Sequence, residues 1–188
     1  MKDLSMHILD IVRNAVEANA STIELVIQED VNRDMLSIQL TDNGKGMSPE
    51  KLKNATDPFF TGRKTRKVGL GLALLQQSTE MSGGELLITS EEGKGTCVTA
   101  SFKLTHIDRL PFGDLAGAMT MSFFSYPEIE FSFRHVVNDH EFDISSAMIR
   151  ETLGDHILST NAWYKEIKTF LSDNLSKIEA AKTYPAVI

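Results

Sequence analysis

The sequence predicts an α+β fold: a two-layer α/β sandwich with a mixed sheet covered on one face by helices, followed by a smaller α+β C-terminal unit. Two observations carry this. Apolar residues switch repeatedly between a helical period and strict alternation, and the resulting order is helix, hairpin, helix, loop, helix, hairpin. A length of 188 residues with 41% hydrophobic content allows one substantial core, or one core with a smaller appended unit. The expected division is residues 1–104 and residues 105–188.

Leu4, Ile8, Ile11, Ala15 and Ala18 recur at helical spacing, so residues 4–18 read as an amphipathic helix, with Asp3 or Ser5 as its cap and Asn19 closing it in a left-handed turn. Ile23, Leu25 and Ile27 alternate with polar residues, as do Leu36, Ile38 and Leu40 after the turn-like stretch 30–34. This is a β-hairpin. Ser48 before Pro49 opens a short helix, and residues 58–68 are polar, basic and aperiodic, as in a loop. A helix from Leu70 should stop at Gly83 and Gly84, before a second hairpin of strands 85–90 and 96–104. Beyond it, the pattern predicts a helix near 113–125, strands near 129–137 and 140–144, a short helix ending at Gly154 and a long helix near 160–180. That last helix carries Trp163, Ile167, Phe170, Leu171, Leu175 and Ile178 as an apolar stripe, expected to be core; the lesser reading is docking of a partner or a second copy, a homodimer.

Charge and composition narrow the function. With 19 basic against 26 acidic residues, net charge −7, the surface as a whole repels nucleic acid and anionic membranes, so an anionic ligand needs a local device. The single cysteine, Cys97, forms no internal disulfide and supports no structural zinc cluster, which fits a reducing cytoplasm. Lys2, Asp3, His7, Asp10 and Arg13 interrupt the N-terminal apolar residues, unlike a signal peptide or membrane span.

Three segments concentrate chemistry. His7, Asp10, Asn14 and Glu17 share the helix face opposite the apolar stripe. The run Asp42, Asn43, Gly44, Lys45, Gly46, Met47 places a carboxylate where an apolar strand ends, beside glycines that let backbone approach a ligand. Residues 57–67 put Arg63, Lys64, Arg66 and Lys67 in a loop that enters a helix through Gly69 and Gly71. Mobile cations and unpaired backbone N–H groups at a helix start suit polyphosphate.

Taken together these segments resemble the histidine-kinase-like (GHKL, Bergerat-type) ATPase superfamily of gyrases, ninety-kilodalton heat-shock chaperones, histidine kinases and mismatch-repair ATPases. Residues 10–18 resemble its N box, 42–46 its G1 box, 58–63 its F box and 69–72 its G2 box, in family order, and residues 93–96 resemble the later Gly-Thr element. The likeness covers a little over half of the chain, which also looks like small stand-alone bacterial ATP-binding proteins. By this resemblance Asn14 supplies its amide oxygen to Mg²⁺. Asp42 accepts the adenine amino group, with Gly44, Gly46 and Thr96 shaping the base pocket. A charge-assisted bond of that kind contributes roughly 1.5–3 kcal/mol, and guanine offers an acceptor there instead, so ATP should outcompete GTP. Thr61, Arg63 and Lys67 belong to the loop over the phosphates, and Gly69, Leu70, Gly71 and Leu72 wrap them with backbone. No Gly-x-x-x-x-Gly-Lys-Ser/Thr cradle is present.

Two departures shape the expected activity. Asp10 stands where the superfamily's ATPases and anti-sigma-factor serine kinases usually have glutamate and histidine kinases asparagine; an acid there can orient or deprotonate a nucleophile. Lys67 replaces a glycine common in sensor kinases, which makes a stiffer, more cationic lid. The chain starts at the N-box helix, so a phosphoacceptor helix ahead of it is not expected, and His7 reads as a hydrogen-bonded neighbour of the site. His135, His140 and Glu141 hint at metal, but Ile144 stands where a second helical histidine would, so a surface hairpin is the reading adopted. The resulting expectation is a cytoplasmic signal-transduction protein, an ATPase or a protein kinase that hydrolyses ATP slowly or passes its γ-phosphate to a protein partner selected by residues 105–188. The alternative is a non-catalytic module whose lid closure on ATP controls partner binding.

Overall fold

The computed structural model describes residues 1–57, 70–180 and 182. Helix α1 spans Leu4–Glu17 and carries Leu4, Ile8, Ile11, Val12 and Ala15 on its buried stripe. Asp3 is the cap: its Oδ1 accepts the Met6 N–H at 3.0 Å. Strands β1 (Thr22–Asp30) and β2 (Met35–Asp42) form the expected hairpin, with Asp34 in the left-handed conformation at its turn. Ser48 caps the short helix α2 (Pro49–Lys53). Helix α3 (Leu70–Met81) is closed by Gly83 at φ +69° and by the Gly84 N–H bonding back to Thr79 O at 2.9 Å. Strands β3 (Leu86–Glu91) and β4 (Gly95–Lys103) follow as the second hairpin. Helix α4 (Leu115–Ser125), strands β5 (Glu130–Val137) and β6 (His140–Ser145), helix α5 (Ser146–Leu153), two 3₁₀ turns and helix α6 (Tyr164–Ala180) complete the described chain.

All six strands lie in one sheet of order β3-β4-β2-β1-β5-β6. Neighbours are antiparallel except β1 and β5, which run parallel, so the sheet is mixed as expected. Alternation decides its two faces. Leu25, Ile38, Ala100 and Phe133 are buried under α1, α3, α4 and α6, whereas Glu24, Gln28, Gln39 and Arg134 point to the open side.

Residues beyond 104 continue this sheet and share its core, where the sequence predicts a unit apart. Ile23, Leu25 and Ile27 of β1 lie level with Phe131, Phe133 and His135 of β5, and one apolar cluster runs from Leu4 to Leu175. The segment before α4 also completes α1: the N–H groups of Leu4 and Ser5 donate to the carbonyls of Pro111 and Phe112, each at 2.9 Å. These are first-turn donors that a helix cannot satisfy by itself. In α6 the stripe is narrower than expected. Ile167, Leu171, Leu175 and Ile178 are buried, but Trp163 precedes the helix and Phe170 falls off the stripe, leaving both exposed. No helix among the described residues is long and apolar enough to cross a membrane.

Candidate nucleotide site

The β2 alternation that buries Leu36, Ile38 and Leu40 puts Asp42 on the same covered face, at the strand end where the apolar rows stop. Only 8% of Asp42 is exposed. Its Oδ1 accepts the Gly44 N–H at 2.8 Å. Burial raises its pKa above the ordinary aspartate value, and backbone N–H groups of Gly44 and Thr96 work against that rise. A carboxylate has about four acceptor positions, so two backbone donors leave capacity for a ligand donor.

The segment after Asp42 is fixed from three sides. Asn43 Oδ1 accepts the N–H groups of Ser21 and Thr22, both at 2.9 Å, which ties it to the start of β1. Gly44 lies against the end of α1: a Cβ there would stand 2.8 Å from both Ala18 Cβ and Ala18 O, and the next N–H, of Lys45, donates to that same oxygen at 2.9 Å. Gly46, at φ +63°, lies against the β3–β4 turn, and a Cβ would come within 2.0 Å of Glu91 O. Ser90 locks this side. Its hydroxyl accepts the Met47 N–H at 2.9 Å, donates to Gly95 O at 2.8 Å and meets Thr96 Oγ1 at 2.9 Å.

A second group forms between α1 and α3. Asp10 and Asn14 are half-buried on successive turns of α1, and the Asp10 carboxylate lies against Gly71 in the first turn of α3. Leu70 is exposed there, whereas Leu72 packs on the core. Glu17, one turn further along, is exposed and pairs with Arg13 at 3.2 Å. His7 differs from its expected hydrogen-bonded role: it is 3% exposed, and among the described residues its Nδ1 has no hydrogen-bond partner. Burial lowers its pKa, the N-terminal amino group adds to that, and Asp10 and Asp3 pull the other way.

The structure thus brings together Asp42, Gly44, Gly46 and Thr96 in one group and Asp10, Asn14 and Gly71 in another. Ala18 links them, since it touches Gly44 and lies eight residues along α1 from Asp10, roughly 12 Å of helix. Thr61, Arg63, Lys67 and Gly69 lie outside the described residues. Ser90 escaped the sequence reading as a site builder, while Asn43 and Gly95 entered it only as members of the 42–46 and 93–96 motifs. The Gly-Lys-Gly spacing at 93–95 was the only local signal, and nothing in it shows that Gly93 N–H donates to Lys45 O at 2.8 Å.

His135 is not part of a surface hairpin. It is 1% exposed on the covered face, and its Nε2 lies 2.9 Å from Oε1 of Glu29, itself wholly buried. The cause is β5 alternation, which aligns His135 with Phe131 and Phe133. Glu29, His135 and Glu179 bring ligand-type atoms within 4.8 Å of one another. The Lys182 ammonium already supplies positive charge there, 2.7 Å from Glu29 Oε2 and 2.5 Å from Glu179 Oε2. Burial alone would raise the Glu29 pKa, but hydrogen bonds from His135 and Lys182 and the lysine charge outweigh it and hold the pKa below its ordinary value. His140 and Glu141 are exposed, the latter pairing with Arg134.

Comparison with known proteins identifies the family. The family model of histidine kinase-, DNA gyrase B-, and HSP90-like ATPases matches residues 2–106. The chain is 39% identical over 90 residues to sporulation kinase E of Bacillus subtilis (strain 168), covering 47% of this chain and 12% of that protein. It is 37% identical over 98 residues to the sensor histidine kinase ZraS of Salmonella typhimurium, covering 51% of this chain and 21% of the relative. The chain therefore spans a small part of the length of these relatives. A solved structure, the N-terminal domain of a DNA repair protein, superposes with a TM-score of 0.58 at 18% identity, over 77% of this chain and 52% of that one. That likeness concerns the fold, and it takes in more of the chain than the family model does. The chain belongs to the histidine kinase-, DNA gyrase B-, and HSP90-like ATPase family, with its ATP-binding domain in residues 2–106.

Proposed function

We propose that the protein binds Mg-ATP along α1, with adenine at Asp42 and the phosphates at Asp10, Asn14 and the start of α3, and that it hydrolyses ATP slowly or passes the γ-phosphate to a protein partner in a regulatory role. The observation that carries this reading is the buried Asp42 carboxylate, held at a strand end between glycine backbones and linked through Ala18 to a polar helix face. The roughly 12 Å of helix between Ala18 and Asp10 suits an elongated ligand with a neutral donor at one end and charge at the other. The amide oxygen of Asn14 and the nearby Asp10 carboxylate are hard oxygen donors, the chemistry that Mg²⁺ requires. Asn14 would hold the ion, which when bound neutralises phosphate charge.

In this mechanism Asp42 accepts the adenine amino hydrogen, and its backbone donors oppose the rise in pKa that burial causes. Gly44 and Gly46 let the chain approach the base closely. The first turn of α3 offers N–H groups to phosphate oxygens. Asp10 takes the proton from a water or a partner side chain as that nucleophile attacks the γ-phosphorus, the bond to the ADP oxygen breaking in the same displacement. Residues 105–188 lie largely outside the family match and are proposed to select the partner. A cytoplasmic location is part of this reading.

The test is incubation of the protein with magnesium and γ-labelled ATP, following free phosphate and protein-bound label. Phosphate release that both Asn14→Ala and Asp10→Asn abolish supports catalysis. Nucleotide binding that needs Asn14 but leads to neither phosphate nor label would favour a non-catalytic binding module, and wild-type turnover in Asp10→Asn would remove that residue from the chemistry.

A further inference from the structure

The geometry points to Gly71 as a positioning residue for Asp10, a role separate from any contact its backbone makes with phosphate. This inference rests on the catalytic reading of Asp10 given above. Gly71 lies in the first turn of α3, and its φ is outside the left-handed range, so conformation does not require a glycine. Glycine within a helix costs about 1 kcal/mol relative to alanine. What it makes room for is the Asp10 carboxylate. A Cβ at position 71 would stand 1.6 Å from Asp10 Oδ2 and 2.8 Å from its Cγ, and these are the nearest atoms to it. No side-chain rotation of residue 71 relieves that overlap, because the Cβ position is set by the backbone. With alanine there, the carboxylate must leave its place or α3 must shift. The aspartate is thus seated between its own helix and the first turn of its neighbour, where N–H groups that a helix cannot satisfy by itself and the helix dipole favour a negative charge. The direction in which Asp10 presents its oxygens is set by α3, and Gly71 determines how closely the two approach.

Four proteins test this: the full chain as wild type, Gly71→Ala, Asp10→Ala and the double variant, each measured for Tm, Mg-ATP affinity by calorimetry and phosphate release. The expected Tm effect of Gly71→Ala reverses sign with background. It falls when Asp10 is present, through the clash, and rises by roughly 1–3 °C when residue 10 is alanine, through helix propensity. In the Asp10 background kcat should fall about tenfold or more. Folding of the double variant but not of Gly71→Ala would also support the contact. A shift of Tm in the same direction in both backgrounds overturns the inference, as does an equal loss of ATP affinity in both, which would assign the glycine to the phosphates instead. If the wild type neither releases nor transfers phosphate, the catalytic reading of Asp10 fails, and the sign of the Tm effect still decides whether the two residues are sterically matched.

Discussion

On the proposed reading Asp42 is the residue on which nucleotide specificity turns, and its surroundings have two consequences. Replacing it by asparagine keeps the shape and an acceptor oxygen but removes the charge, so a charge-assisted bond becomes a neutral one. The expected loss is about 1–2 kcal/mol, roughly fivefold to thirtyfold in ATP affinity by calorimetry. Because burial raises the Asp42 pKa, the carboxylate takes up its proton at a pH above the ordinary aspartate value as the solution is acidified. The difference in affinity between wild type and Asp42→Asn should therefore shrink on acidification before a normal aspartate would titrate; a difference that stays constant through that range would show that the charge plays no part. How readable such residues were in the sequence depended on their neighbours. Asp42 was legible because it closes an alternating strand and precedes two glycines. Asn43 was not, since an Asp-Asn-Gly run reads equally as a turn and its bonds reach Ser21 and Thr22, some twenty residues away. Nor could a single histidine reveal that its burial would leave Nδ1 of His7 without a partner among the described residues.

The elements that carry the site are held together at a few polar joints. Ser90 is the clearest. One hydroxyl connects the backbone after Asp42 to the turn that leads to Thr96, through Met47 N and Gly95 O. Ser90→Ala should cost about 1–2 kcal/mol, seen as a lower denaturant midpoint with an unchanged slope, and should weaken ATP binding severalfold. Loss of stability with full ATP affinity would mean that this joint does not shape the pocket. The helices and strands themselves were accessible to sequence reasoning because each is long and periodic enough to announce its buried side: Leu4, Ile8 and Ile11 on α1, and Ile23, Leu25 and Ile27 on β1. Their caps were accessible too, as with Asp3 and Ser48. The parallel pairing of β1 with β5 was not, since about one hundred residues separate strands whose local patterns would fit a hairpin equally well.

Across the whole molecule, the family-matched segment shares its sheet and core with residues beyond 106 and is expected to depend on them for its stability. Glu29 is fully buried on β1, and its compensation comes from His135 on β5 and from Lys182 beyond α6, which also lies over the Phe112 ring at 5.9 Å. Phe112 in turn helps to complete α1. A fragment ending at residue 106 would leave β1 as an edge strand, Glu29 buried or unpaired and two α1 donors without acceptors; it is expected to be unfolded or aggregated by circular dichroism at temperatures where the full chain is native. Equal stability of the fragment would refute this dependence. Lys182→Met should cost about 3 kcal/mol by removing one partner of a buried charge. The pH profile comes from the same group. Since the folded Glu29 pKa is depressed, its contribution is complete above its ordinary carboxylate pKa and is lost as pH falls through the folded value, so the difference in Tm between wild type and Lys182→Met should narrow in acid. The most direct measurement of nucleotide recognition by Asp42 is calorimetric titration of the full chain with Mg-ATP and with Mg-GTP. ATP is expected to bind, GTP to bind at least about tenfold more weakly, and Asp42→Asn to lose most of the difference. Equal affinity for the two nucleotides, or discrimination unchanged in Asp42→Asn, would contradict the assignment of Asp42 to adenine.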